Sequence, residues 1–204
     1  MRFLLISSFL ILISCKSYPL KNGFDQSTKK VEAVVNPYFS NENKDYVYKA
    51  SIAVYDKSFG GVFIVKKLAP ETHRIVFTTE MGNKIFDFSL YNDEFKINFI
   101  LEELDKKLLI NILKKDFKLL VKENIVTSEK SIQANQTLYK TNVANKKVFY
   151  KYVESQLISI HRIGQVSNKE KVNILFSKKE EDTAKNIQIL HQNIQLNITL
   201  KAIN

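Results

Sequence analysis

The sequence predicts a mainly β protein, in which a curved antiparallel sheet of about eleven strands packs over an apolar helix. Two observations support this prediction. Short runs of alternating apolar and polar residues recur along most of the chain, as expected of strands with one buried face. One stretch between these runs instead places its apolar residues at helical spacing. Strand runs interrupted by a single helix favour an antiparallel sheet over alternating β and α units.

The first strand runs occupy residues 48–101 and are joined by short polar or glycine-containing breaks. In YKASIAVY, for example, Ala50, Ile52 and Val54 share one face. The other runs in this part of the chain are GVFIVKKL, HRIVFTTE, KIFDFSLY and EFKINFIL. Runs this close together predict a meander of antiparallel strands.

The helical stretch is LEELDKKLLINILKKDFKLL, residues 101–120. Its apolar residues form a broad face and its lysines lie opposite, which is typical of a helix packed against a sheet. A polar region at 127–137 follows and shows no clear pattern. Strand patterns resume at TLYKTNV, KKVFYKYV, QLISIHRI, KVNILFS, KNIQIL and NIQLNITLKAI.

The N-terminus has the features of an export signal. A positive start is followed by an apolar run from Phe3 to Ile13, which is too short for a membrane-spanning helix of roughly 20 residues. Leu-Ile-Ser-Cys then resembles the bacterial lipobox, so we predict a lipoprotein signal peptide at 1–14 and lipidation of Cys15 by chains such as palmitate. The alternative is a signal peptide with an incidental cysteine. Several acyl chains would anchor the protein stably in a membrane of the bacterial envelope.

Residues 15–45 are rich in Ser, Asn and Lys and show no sustained period. We interpret them as the lipidated N-terminus and a tether, with a short helix across Lys29 to Val35. The β domain then occupies 46–204. No internal repeat calls for a second domain, and we expect a monomer.

The chain carries a net charge of +10, yet its lysines are scattered or paired rather than clustered. Because the protein is also predicted to be exported, nucleic acid is not an expected partner. A basic surface close to anionic headgroups is the simpler interpretation.

No catalytic motif is evident. His73, His161 and His191 lie far apart in the sequence, and none has a neighbour at metal-ligand spacing. Glu102 and Glu103 are adjacent, so on a helix they would point away from one another. We therefore predict no catalytic residue, no metal and no cofactor, and expect a protein that is not an enzyme.

Several segments resemble the LolA/LolB lipoprotein-sorting family, and most closely the outer-membrane acceptor LolB. In FGGVFIVKKLAPETHRIVFTTEMGNKIFDF, Phe63 and Val65 match an F-x-W strand, His73-Arg74 a Y-R strand, and Met81-Gly82 a Leu-Gly turn. EELDKKLLINILKKDFKLL is similar to the family's central helix, and KNIQILHQNIQLNITLKAI to its final strand pair. The chain departs from the family pattern at Glu80, where a proline is expected, at Val65, which replaces tryptophan, and after the helix, where L-x-x-W-x-x-G is missing.

The resemblance implies a half-open barrel covered by one or two apolar helices. It also implies an outer-membrane protein that faces the periplasm, takes acyl chains of lipoproteins or lipids from a LolA-like carrier, and inserts them into the membrane. An apolar cavity would then lie between sheet and helix, although the composition alone fits a solid core equally well. The candidate lining residues are Ile52, Val54, Phe63, Val65, Ile75, Phe77, Phe86, Phe88, Phe99, Leu104, Leu108 and Ile112.

The same resemblance gives Met81 and Gly82 a role as a membrane-insertion loop, because the matching leucine of LolB protrudes from its turn. A flexible thioether side chain suits an adaptable contact with lipid. The alternative is a methionine folded back on the neighbouring strand. Two other functions also stay open: an accessory envelope lipoprotein that docks proteins on its sheet, and an enzyme acting on lipids or glycans.

Overall fold

The computed structural model describes residues 16–92 and 94–203, which form one large antiparallel sheet with a long helix against it. The helical elements are α1 (Tyr18–Lys21), a 3-10 helix (Glu102–Leu104) and α2 (Lys107–Val121). The strands are β1 (Thr28–Lys29), β2 (Ala33–Val35), β3 (Asp45–Val54), β4 (Lys57–Ala69), β5 (Thr72–Thr78), β6 (Lys84–Tyr91), β7 (Glu94–Ile100), β8 (Asn124–Val126), β9 (Glu129–Gln133), β10 (Gln136–Val143), β11 (Lys146–Val153), β12 (Gln156–Ile163), β13 (Glu170–Glu180), β14 (Thr183–His191) and β15 (Leu196–Ala202).

The main sheet has 13 strands in the order β1-β9-β10-β11-β12-β13-β14-β15-β3-β4-β5-β6-β7. Two meanders meet where β15 pairs with β3, with Leu196 opposite Val54. The edge strands β1 and β7 are not paired with each other, so the sheet stays open. The predicted fold class, an antiparallel sheet packed on an apolar helix, is confirmed.

Every predicted strand run forms a strand, but the structure adds four short strands, β1, β2, β8 and β9. Strand β9 lies within the polar region 127–137, where we predicted no element. The helix begins at Lys107 and not at Leu101, because Glu102–Leu104 forms a separate 3-10 turn. No helix among the described residues is both long and apolar enough to cross a membrane.

Residues 16–45 are packed against the domain, in contrast to the tether and short helix that the sequence suggested. Thr28 pairs with Lys130 in β9, and Val34 pairs with Ile125 in β8, so strands replace the predicted helix. The physical reason is a set of aromatic side chains that gain free energy when removed from water, namely Tyr18, Phe24, Tyr38 and Phe39, all buried. The predicted signal peptide and Cys15 lie outside the described residues.

Apolar side chains are buried on both faces of the sheet. The main core lies between α2 and the face that we call inner, and it includes Tyr38 and Phe39 from the N-terminal segment. A smaller cluster on the outer face joins Tyr18 and Phe24 to strands β10, β11 and β12 through Leu138, Phe149 and Ile163. Each fully buried aliphatic or aromatic side chain contributes about 1.5–3 kcal/mol relative to exposure, so the N-terminal segment is an integral part of the fold.

Candidate functional site

The connections of the antiparallel sheet alternate between its two ends. One end carries the β3–β4 turn (55–56), the β5–β6 turn (79–83) and the β14–β15 loop (192–195), because β3, β5 and β14 run in the same direction. The β10–β11 turn (144–145) and the β12–β13 loop (164–169) belong to the same end. We call it the pocket end, because the largely apolar pocket described next opens there.

The pocket has a volume of about 360 Å³ and lies between the first turns of α2 and two connections of the sheet. Helix α2 contributes Leu108, Leu109 and Ile112, and the 3-10 helix contributes Leu104. The opposite wall is formed by Val54, Tyr55, Ile194 and Leu196. These side chains provide an apolar surface, which is suited to binding an apolar ligand.

Charged side chains are confined to the rim of the pocket, where Asp56, Lys57, Glu103 and Lys106 lie. Lys57 Nζ donates a hydrogen bond to Glu103 Oε2 at 2.7 Å, and this raises the pKa of the lysine. The pair joins the start of β4 to the 3-10 helix. Both side chains are about half exposed, so we expect the contact to be readily broken in water.

The interior between the sheet and the rest of α2 is filled with aromatic rings. Phe117 of α2 lies 5.5 Å from Phe63 and 5.7 Å from Phe86, measured between ring centroids. Phe86 is also stacked on Phe88, with centroids 4.6 Å apart, and all these rings are fully buried. The central part of the predicted cavity is therefore a solid core.

The candidate lining residues separate into three groups. Val54, Leu104, Leu108 and Ile112 do line the pocket. Phe99 is 41% exposed on β7, away from the pocket. The other candidates lie in the filled core, namely Ile52, Phe63, Val65, Ile75, Phe77, Phe86 and Phe88.

Met81 projects from the turn between β5 and β6, and 92% of its surface is exposed. The turn is closed by hydrogen bonds from Gly82 N to Thr79 O (2.9 Å) and from Thr79 N to Asn83 O (2.8 Å). Gly82 has φ +86°, a left-handed conformation that glycine adopts without strain. The methionine is not folded back on the neighbouring strand, and it lies at the same end of the sheet as the pocket.

A buried carboxylate braces the hairpin that carries Met81. Arg74 Nε and Nη2 donate to the two carboxylate oxygens of Asp87 at 2.9 and 2.7 Å. Lys84 and Asn98 donate to the same group at 3.0 and 3.1 Å. The bidentate arginine, assisted by the other donors, holds the pKa of Asp87 well below its usual range. Strands β5, β6 and β7 are thus tied together on the outer face.

Two solved structures align with this chain at very low sequence identity. A LolA-superfamily protein from Nitrosomonas europaea gives a TM-score of 0.49 at 6% identity, over 83% of this chain and 88% of that one. A domain described as an outer-membrane lipoprotein-sorting protein, from Vibrio parahaemolyticus, gives 0.42 at 8% identity, over 78% and 83%. No family model and no curated protein matches the sequence.

The sequence analysis missed a buried polar pair that joins α2 to the sheet beside the pocket. His191 Nε2 lies 2.8 Å from Asp116 Oδ2, and His191 Nδ1 lies 2.8 Å from the carbonyl oxygen of Leu196, a pocket residue. Arg162 Nη1 is 3.5 Å from the other oxygen of Asp116. A signal was present, because Asp116 follows Leu109 and Leu113 by seven and three residues and so lies on the apolar face of the helix.

The other two histidines have structural partners. His73 Nε2 donates to the carbonyl oxygen of Phe39 at 3.0 Å, and burial lowers the pKa of its ring. His161 lies between Ser159 Oγ (2.7 Å) and Asn173 Oδ1 (3.0 Å). Within the described ranges, no group of three or more His, Cys, Asp or Glu side chains is placed to hold a metal ion.

Proposed function

We propose that this protein is a lipid-anchored envelope protein that binds an acyl chain in the pocket beside α2 and passes it to the outer membrane. The pocket itself is the observation that carries the proposal. Its walls are apolar, its charges lie at the rim, and half-exposed Tyr55 and Leu108 continue the apolar surface outwards. Such a site binds a hydrocarbon chain by removing it from water, at about 0.8 kcal/mol per CH₂ group.

The size of the pocket limits what it can hold. At about 360 Å³ it lies at the lower end of ligand pockets, which range over roughly 300–1,000 Å³. A single acyl chain is the ligand we expect in this volume. The several chains of a lipoprotein anchor would require α2 to move away from the aromatic core. We therefore propose transfer of one chain at a time, or of a singly acylated lipid.

Met81 supports a role in delivery to a membrane. It projects from the turn of a braced hairpin with 92% of its surface exposed, and it lies at the same end of the sheet as the pocket. A large apolar side chain held in water by a rigid turn gains free energy when it enters lipid. In this proposal Cys15 supplies the membrane anchor, a LolA-like carrier supplies cargo, and no covalent step occurs.

The filled aromatic core favours a second function. If the pocket were only a surface depression, the protein would be an accessory envelope lipoprotein that docks other proteins on its sheet. The stacking of Phe86 on Phe88, and their contact with Phe117, show that most of the interior has no room for a ligand. A stable protein partner without any bound lipid would support this alternative.

Native mass spectrometry of the chain from Lys16 onward, which contains every described element, tests the proposal directly. We expect bound acyl species and competition with a fluorescent fatty acid. Ile112→Trp, which fills the pocket, should weaken binding of the fluorescent fatty acid at least tenfold. Leu68→Trp is the matched control, because Leu68 is half exposed and lies near the opposite end of the sheet.

Two results would contradict acyl binding in the pocket. The first is the absence of any bound lipid together with no uptake of the fluorescent fatty acid. The second is equal uptake by Ile112→Trp and the parent chain, which would place the lipid elsewhere.

A further inference from the structure

Two connections at the pocket end lie side by side, far along the sheet from Met81. They are the β10–β11 turn (144–145) and the β12–β13 loop (164–169). Lys147 joins them, because its Nζ donates to the carbonyl oxygen of Gln165 at 2.9 Å and to Asn168 Oδ1 at 3.0 Å. Gly164 N also donates to Lys169 O at 2.8 Å, which closes the longer loop. We call this pair of connections the basic loops.

The basic loops present an apolar tip among cations. Val166 is 93% exposed at the top of the longer loop, and Val143 beside the shorter turn is 39% exposed. Lysines flank both connections, and Glu170 is the one carboxylate in residues 143–147 and 164–171. The lysines are Lys146, Lys147, Lys169 and Lys171. The other acidic residues of this end lie in different connections: Asp56 in the β3–β4 turn, Glu80 in the β5–β6 turn, and Glu102, Glu103 and Asp105 in the 3-10 helix and its C-cap.

The carboxylate of Glu170 forms hydrogen bonds with other side chains of the protein. Its Oε1 accepts a hydrogen bond from the hydroxyl of Tyr18 at 2.6 Å, and its Oε2 accepts one from Asn173 at 2.6 Å. The carboxylate is therefore turned towards the outer face of the sheet and its partners. The basic loops keep a net positive charge towards solvent, which complements an anionic surface.

The buried position of Tyr18 also determines which part of the domain lies close to Cys15, the predicted lipid anchor. It is buried against Phe149, with ring centroids 4.7 Å apart, directly beside the first residue of β13. Three peptide units separate Tyr18 from Cys15, and a chain spans at most about 3.6 Å per residue, or roughly 11 Å in all. An acylated Cys15 would thus hold the basic loops within reach of the bilayer surface.

We propose that the basic loops form a second lipid contact, in which Lys146, Lys169 and Lys171 bind anionic headgroups and Val166 enters the interface. We choose the bilayer over an acidic protein as the partner, because three features lie together here. They are an exposed apolar side chain, the lysines beside it, and the point where the chain leaves towards the predicted lipid anchor. This inference rests on the anchoring part of the proposed function. It orients the domain with its pocket end towards the membrane, so that Met81 and the pocket mouth lie on the same side.

Vesicle binding by the chain from Lys16 onward, which lacks the anchor, tests this orientation. We compare vesicles of phosphatidylcholine with and without phosphatidylglycerol, and expect binding only to the anionic ones, weakened by salt. Lys169→Glu with Lys171→Glu should lower the affinity at least about 25-fold, since each of the two lysines contributes roughly fivefold near an anionic surface. Val166→Asp should lower it as well.

Matched controls lie at the opposite end of the sheet. Lys179→Glu with Lys201→Glu repeats the double charge change on two exposed lysines, and Leu68→Asp repeats the apolar change. Both controls should leave vesicle binding unaltered. Equal losses in the controls would overturn the proposal. So would a lack of binding to anionic vesicles, which would point to an acidic protein partner. Uptake of a fluorescent fatty acid, measured on the same variants, shows separately whether the pocket proposal stands or fails.

Discussion

His191 Nε2 lies 2.8 Å from the carboxylate of Asp116, and both side chains are almost completely buried. A backbone carbonyl can only accept, so His191 Nδ1 must donate its proton to Leu196 O, 2.8 Å away. The histidine therefore connects a pocket wall to helix α2. Within an apolar core, the pair fixes the position of the helix more strictly than aliphatic contacts alone would.

Removing one member of this pair should be costly. Asp116→Leu leaves His191 Nε2 without its hydrogen-bond partner and Arg162 without its nearby counter-charge, and we expect a loss of about 3–5 kcal/mol in the free energy of unfolding. His191→Leu should show a similar loss. In the double variant the loss should be smaller than the sum, because the hydrogen bond between the two side chains can be lost only once. Urea denaturation measures all three, and strictly additive losses would show that the two groups are not coupled.

The docking of the N-terminal segment should depend on pH through Glu170. A hydrogen bond with His161, aided by Tyr18 and Asn173, lowers the pKa of Glu170 to about 2. Its ordinary value is about 4.3. Since the folded-state pKa is depressed, the carboxylate contributes stability above about pH 4.3 and loses that contribution as the pH falls towards 2.

Glu170→Gln is the variant that isolates this effect. We expect it to be less stable than the parent chain at pH 6 and to show little difference near pH 2. Urea midpoints across this range give the comparison, and Glu154→Gln at the opposite end of the sheet is the control. A deficit of the same size at every pH would mean that the ionisation of Glu170 does not stabilise the fold.

The strands could be predicted from the sequence because their signal is local. Alternation in KIFDFSLY or NIQLNITLKAI needs no knowledge of the rest of the chain. The strand β1 could not be found in this way, because Thr28 is stabilised by a partner 102 residues away. Its own composition is polar, and only the distant pairing makes it part of the sheet.

The sequence predicted an apolar cavity between the sheet and the helix, but not its position at the start of α2. The broad apolar face of α2 includes both Phe117 and Leu108, but they are nine residues apart, about half a turn around a helix of 3.6 residues per turn. Phe117 is therefore buried against the phenylalanines of the sheet, while Leu108 is 62% exposed and lines the pocket. The spacing separates the two side chains, but it does not show which of them faces the sheet.

Met81 should be needed for delivery and not for folding. Met81→Glu should leave the free energy of unfolding within about 0.5 kcal/mol of the parent chain, because the side chain makes few contacts. It should reduce transfer of an acylated peptide to vesicles, since a charged tip does not enter lipid. Met81→Leu is the control and should retain transfer. Normal transfer by Met81→Glu would exclude a role for this side chain.

The division between core and pocket makes opposite predictions for two residues of α2. Phe117→Ala removes a fully buried ring that contacts Phe63 and Phe86, and should cost about 3–5 kcal/mol of stability. Leu108→Ala should cost less than about 1 kcal/mol, because 62% of that side chain is exposed.

Binding of a fluorescent fatty acid should respond in the reverse order. Leu108→Ala should weaken it several-fold, because the leucine lines the mouth of the pocket. Phe117→Ala, assayed at a temperature where it stays folded, should bind as well as the parent chain or better, since the space left by the ring adjoins the pocket helix. If Leu108→Ala bound the fatty acid normally and only Phe117→Ala lost it, the ligand would occupy the aromatic interior, and the pocket at the start of α2 would have no part in binding.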